Sequence, residues 1–221
     1  MPYHQGMNGR RRRWFRIFAV IVLLGVMVGV PAIRGAILRT AGMALVVDEP
    51  VGPADIIVVP LWAGAGGAID AADLVHAGIA GRVAVLPEPP RQAERELTRR
   101  GIAYLDATTN LVQLLRSLGV THVEVIPDPA AGTSAEAQVL RTWCDRQGLR
   151  SIVVVSAPDH SRRVRRALRR AFLGHPATVL VRSARFSIFD PKTWWQSRDG
   201  VRIEIVELQK LLLDIARHPF S

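Results

Sequence analysis

The chain is poor in the residues that staple or metallate small folds. Its 221 residues include one cysteine, Cys144, which rules out an intramolecular disulfide. No Cys/His spacing and no H-E-x-x-H helix points to zinc. Cys144 lies in the apolar stretch VLRTWC and is expected as a small buried core residue rather than a nucleophile. There is no internal repeat, low-complexity tract or second composition regime, so one domain with a full-sized core is expected after residue 50. A complete G-x-G-x-x-G is also missing, because the third glycine position after Gly64 and Gly66 is Ile69.

Acidic residues are absent from residues 1–40, where seven arginines fall. The formal charge of +10 is therefore concentrated at one end: 29 basic residues less these seven leaves 22 against 19 acidic residues, or +3. That balance removes most of the support for a nucleic-acid partner, and none is expected. The remaining basicity is local. Arg162, Arg163, Arg165, Arg166, Arg169 and Arg170 crowd into one short helix, suited to a solvated face near anionic lipid or polysaccharide.

The arginine block RRRRWFR, residues 10–16, precedes an apolar run from Ile17 to Ile33. At about 1.5 Å per residue a helix of that length covers roughly 26 Å, near the lower limit for a bilayer core. Positive residues stay cytoplasmic, so residues 1–16 are expected inside and residues 17–36 as a single transmembrane helix. Residues 37–53 then form a juxtamembrane linker and residues 54–221 a domain outside the plasma membrane. A cleaved signal peptide is the alternative, since Pro31 and Ala32 follow a shorter apolar core. The nearest small-x-small site, Gly42 to Ala44, lies well beyond the run.

Apolar runs then alternate with helical patterns. Strands are expected at 54–60, 83–87, 123–127, 151–156 and 178–182, with a further short one at 102–106. Helices are expected at 69–80, 91–100, 111–118, 134–147 and 161–173. Continuous apolar strands separated by helices imply a doubly wound α/β domain, Rossmann-like, with a mainly parallel sheet covered on both faces. The end is ambiguous. VRIEIV alternates like a strand, while Val201, Ile205, Leu208, Leu212 and Ile215 form a helical stripe, and the helix is favoured.

In such sheets ligands collect where strands end and helices begin. Three loops qualify. Gly64 and Gly66 would let the backbone approach a phosphate or ribose, with Glu88 at the sugar hydroxyls. Otherwise they form a turn entering a helix. In the second, Thr133 and Glu136 fit T-x-x-E, a capping box in which both side chains serve backbone N–H groups. The functional reading instead puts Thr133, Ser134 and Glu136 on a ligand or an attacking water. The third runs from Ser156 to Arg163. His160 can pass a proton near neutrality, Arg162 and Arg163 can fork onto an anion, and His160 and Arg163 share one face if the helix has begun. Glu136 and Asp159 have no fixed metal spacing, and no metal is expected.

Taken together these residues resemble the YdcF-like family, which includes the SanA and ElyC envelope proteins. The family's N-T-x-E-N is similar to Thr133, Ser134, Ala135, Glu136, Ala137. Its strand followed by T-S-x-x-H-x-x-R is similar to Val155 through Arg163. The stretch from Trp194 to Ile215, WWQSRDGVRIEIVELQKLLLDI, is similar to its final helix. The family's first-half arginine falls near Gly67, its glutamate after the second strand has no clear counterpart, and Pro89 to Asn110 stands out as an insertion. The resemblance implies a Rossmann-like fold, a membrane helix and a role in cell-envelope biogenesis or maintenance.

The expectation is a membrane-anchored protein that acts on or binds a phosphorylated or otherwise anionic lipid-linked glycan intermediate. Glu136 and His160 are the candidate catalytic pair, with Thr133, Ser134, Ser156, Arg162 and Arg163 as ligand-binding groups. Two alternatives remain: an envelope scaffold or binding module without turnover, and a nucleotide-derived cofactor held by Gly64, Gly66 and Glu88.

Overall fold

A computed structural model describes residues 11–19, 25 and 29–220 of the chain. These fall into two units, residues 1–41 and 42–221. In the first, residues 11–19 are helical and helix α1, Pro31–Met43, begins. The anchor expected over 17–36 falls partly on residues 20–24 and 26–28, outside the described residues. Among the described residues no helix is long and apolar enough to cross a membrane.

The second unit is an α/β fold around five parallel strands: β1 (Ile56–Pro60), β2 (Val83–Leu86), β3 (Val123–Val125), β4 (Ser151–Ser156) and β5 (Thr178–Ser183). Their order is β3-β2-β1-β4-β5, every neighbouring pair being parallel. Between them run α2 (Gly64–His76), α3 (Gln92–Arg99), α4 (Ala107–Ser117), α5 (Thr133–Gln147) and α6 (Pro158–Ala171), and α7 (Arg198–Arg217) closes the chain.

The apolar runs read as strands because their side chains have two sides to cover. Ile56 and Val58 point to a core shared with α5 and α6, while Ile57 and Val59 point to one shared with α2 and α4. All four are fully buried, and each such side chain stabilises the fold by about 1.5–3 kcal/mol. A third, smaller cluster, Leu45, Phe189 and Leu211, seats α7.

Two expectations are corrected. Residues 102–106 are not a strand. Gly101, at φ 68°, ends α3, and Asp106 accepts from the Thr109 N–H to start α4, so only four residues lie between the two caps. Ile102 and Leu105 stay exposed, without the burial that would reward a strand. The final segment is helical as favoured, but its buried face is Gly200, Glu204, Glu207 and Leu211, whereas Ile205, Leu212 and Ile215 of the apolar stripe are exposed.

The stretch expected as linker belongs in part to the second unit. Leu45 is buried, the Val47 N–H donates to Ser161 Oγ at 2.7 Å, and Glu49 accepts from the Val181 N–H at 2.8 Å.

Candidate functional site

The chain leaves β1 for β2 on one side and returns through β4 on the other, so the β1/β4 junction is the topological switch point of the sheet. Trp62 follows β1, and Asp159, His160 and Arg163 lie in the opening turns of α6 after β4. Pro158 at the first helical position sets that start, two residues before the histidine. Thr133 and Glu136 enter from the start of α5, and Glu207 and Lys210 come over the top from α7. Trp62, Glu88, Thr133, Glu136, His160, Arg163 and Lys210 line one cavity of about 380 Å³.

The capping box expected at α5 does not form. Gly132 is the N-cap, with φ 89°, a backbone region open to glycine, and no side chain caps the helix. Both residues face the cavity instead. The Thr133 hydroxyl oxygen accepts from Arg163 Nη1, and Glu136 Oε2 accepts from the Trp62 indole N–H at 3.1 Å. The Trp62 ring lies 4.6 Å from that of His160, centroid to centroid.

Glu207 organises the basic groups. It lies 3.0 Å from His160 Nδ1, accepts from Arg163 Nη2 at 3.1 Å, and accepts from Lys210 Nζ at 2.6 Å. Burial opposes its ionisation most strongly, but the bonds and charges of His160, Lys210 and Arg163 together outweigh that and hold its pKa at about 2. Glu136 goes the other way. Burial raises its pKa, the Trp62 bond opposing, so the two carboxyl groups are driven apart into one anion and one group readier to hold a proton.

His160 is pulled in two directions. Burial disfavours the imidazolium, yet the carboxylates of Asp159 and Glu207 on the Nδ1 side raise its pKa overall. Arg163 Nη2, however, sits 2.5 Å from Nε2, and a guanidinium can only donate there. A proton on Nδ1 is aimed at Glu207, and Nε2 can accept from Arg163 only while it carries no proton itself. Nε2 gains a proton only when Arg163 turns away, so an anion that draws the guanidinium off would release the imidazole to titrate. Arg163 Nε is buried and unpaired.

Asp159, His160 and Glu207 bring ligand atoms within 4.8 Å of one another, the set best able to hold a cation among the described residues. Metal on Nδ1 would require Nε2–H, which collides with the Arg163 donor unless the guanidinium moves. Glu204, one turn before Glu207, is buried with neither carboxylate oxygen bonded, and burial raises its pKa.

The remaining expected residues separate. Arg162 is spent on backbone: it donates to the Ala44 carbonyl and to Val46 O at 3.0 Å. Ser156 is fully buried and donates to Ala157 O. Ser134 lines a neighbouring cleft of about 460 Å³ with Arg163, Arg170, Lys210 and Arg217. Gly64 lines a third cleft, while Gly66 packs so closely that a Cβ there would meet the Phe186 carbonyl. Sequence reasoning missed Trp62, Glu207 and Lys210 and assigned Asp159 no role. It found no counterpart for a glutamate after the second strand, although Glu88 reaches the cavity from there. The available signal was in α7, where Glu204 and Glu207 lie among Ile203, Ile205, Val206 and Leu208.

No family model, curated protein or solved structure matches this chain.

Proposed function

We propose that the chain is a membrane-anchored, YdcF-like protein of cell-envelope biogenesis or maintenance. Its exported domain binds a phosphorylated or otherwise anionic lipid-linked intermediate and moves a proton on it. The N-terminal arginine block and apolar run support the anchoring and the export.

The observation that carries the ligand class is the meeting of two cavities. The start of α5, whose first N–H groups have no partner within the helix, opens on a cleft lined by Arg163, Arg170, Lys210 and Arg217, four cations against the one carboxylate of Asp214, which Arg170 holds. Through Thr133, Arg163 and Lys210 that cleft adjoins the cavity of Glu136 and His160. An anion in the basic cleft would draw Arg163 toward itself, while Glu136, kept readier to hold a proton, supplies one to the departing oxygen. His160, oriented by Glu207, is the second proton carrier. A positioned acid–base group commonly contributes roughly 10²- to 10⁴-fold in rate.

The test uses the full chain in detergent, titrated with inorganic phosphate and with a polyprenyl phosphate, alongside a turnover assay. Arg163→Ala should weaken binding roughly 10- to 100-fold, the worth of a charge-assisted hydrogen bond. Glu136→Gln should bind normally and turn over nothing. Unchanged affinity in Arg163→Ala would refute the anion reading, and affinity without product in the native chain would assign a binding module. A reporter fused at residue 221 checks export.

A further inference from the structure

Beside the acid–base cavity lies a wider cleft of about 590 Å³ that shares Trp62 and Glu88 with it. Its far wall is built by the stretch that stands out as an insertion in the sequence, and includes Arg91, Glu94, Tyr104, Asp106, Thr108 and Asn110. The chemistry of this wall differs from that of the basic cleft. Glu88, Glu94 and Asp106 set three carboxylates against the single guanidinium of Arg91. A second anionic group would be repelled here.

Two of those carboxylates are already fixed. Glu94 Oε2 accepts from the Arg91 N–H at 2.5 Å, and Asp106 accepts from the Thr109 N–H at 2.8 Å and the Thr109 hydroxyl at 2.6 Å. Each oxygen keeps lone-pair capacity beyond those bonds, so the caps present acceptors whose positions are set before any ligand arrives. Thr108 and Asn110 add a hydroxyl and an amide that both donate and accept. Tyr104 and Trp62 add aromatic faces. Fixed acceptors, mixed donors and aromatic rings without net positive charge suit a neutral group dense in hydroxyls.

We propose that this cleft is a sugar subsite, taking an uncharged polyhydroxylated group attached to the anion held at Arg163. The inference rests on the anion-binding reading above and assigns the second half of the same ligand. Trp62 and Glu88, common to this cleft and the acid–base cavity, mark where the sugar passes toward the anion, which Arg163 meets on the other side of that cavity.

The experiment titrates the full chain in detergent with glucose 1-phosphate, inorganic phosphate, adenosine monophosphate and an uncharged methyl glucoside. Glucose 1-phosphate should bind about tenfold or more tightly than inorganic phosphate, the scale of one hydrogen bond to a charged group. Tyr104→Ala and Asn110→Ala, both confined to the wider cleft, should erase that advantage while leaving inorganic phosphate binding within about twofold. Circular dichroism confirms that both variants fold; Tyr104 is exposed, so its removal opens no core. Equal affinity for glucose 1-phosphate and phosphate, equal losses of both in the variants, or a preference for the nucleotide would overturn the subsite. If no phosphate binds at all, the anion reading fails by itself. Methyl glucoside then decides the cleft: binding lost in Tyr104→Ala upholds it, and no binding overturns it.

Discussion

Replacing Glu207 by glutamine tests whether this carboxylate is the hub of the site. Its side chain is 7% exposed and accepts from Arg163 and Lys210 while facing His160 Nδ1. Burial alone would push its pKa up, yet these partners hold it at about 2 against an ordinary 4.5. A folded-state pKa below the unfolded one means that the ionised form stabilises the fold, here by about 3 kcal/mol. That stability is complete above pH about 4.5 and is lost as the pH falls toward 2. Glu207→Gln has no such titration. It also leaves Arg163 and Lys210 without their anion. At pH 7 the variant should be less stable by about 3 kcal/mol, equivalent to roughly 6–12 °C in Tm for a domain of this size. The gap should close as the pH approaches 2. Guanidinium unfolding followed by tryptophan fluorescence, at pH 7 and at steps down to 2.5, measures it. The imidazole of His160, followed by NMR, should also titrate at lower pH once one of its two carboxylates is gone. A gap of the same size at both ends of the pH range, or an unmoved imidazole, would refute the reasoning.

Trp62→Phe keeps a ring against His160 but removes the indole donor to Glu136, one of the influences that lower the carboxyl pKa. The pKa of Glu136 should therefore rise further, moving the alkaline limb of a pH–rate profile upward, at a stability cost of about 2 kcal/mol. Gly66→Ala places a methyl on the Phe186 carbonyl and should lower stability by about 1–3 kcal/mol in thermal unfolding; an unchanged Tm with weakened binding would instead make Gly66 a ligand contact. Cys144 is fully buried, its thiol pKa raised by that burial, so a disulfide reagent should label it only on the timescale of unfolding.

Glu207 also marks the boundary of what the chain's order reveals. A pattern along the sequence can show which segments are apolar on both sides, and Ile56 to Val59 and Ile152 to Val155 are read correctly as strands on that basis. It can also show that Thr133 and His160 lie just after strands, where α/β sheets keep their ligands. It misjudges elements whose fate depends on neighbours. Residues 102–106 are apolar enough for a strand but lie between two capped helices with no burial on offer. The stripe of α7 has the right period, yet the helix turns Glu207 inward, where Arg163, His160 and Lys210 satisfy it, and carries Glu204 inward with neither carboxylate oxygen bonded.

The sequence by itself determined the layered α/β architecture, the α6 face that carries His160 with Arg163, and the pairing of an N-terminal basic block with an apolar run. Burial of contiguous side chains is a local property of the chain. Only the tertiary structure decided which groups bond. Trp62 meets Glu136 across 74 residues, Glu207 meets Arg163 across 44, and Thr133 takes a guanidinium rather than its own helix cap. A hydrogen bond depends on distance and direction in space, and chain order specifies neither until the sheet has brought its loops together.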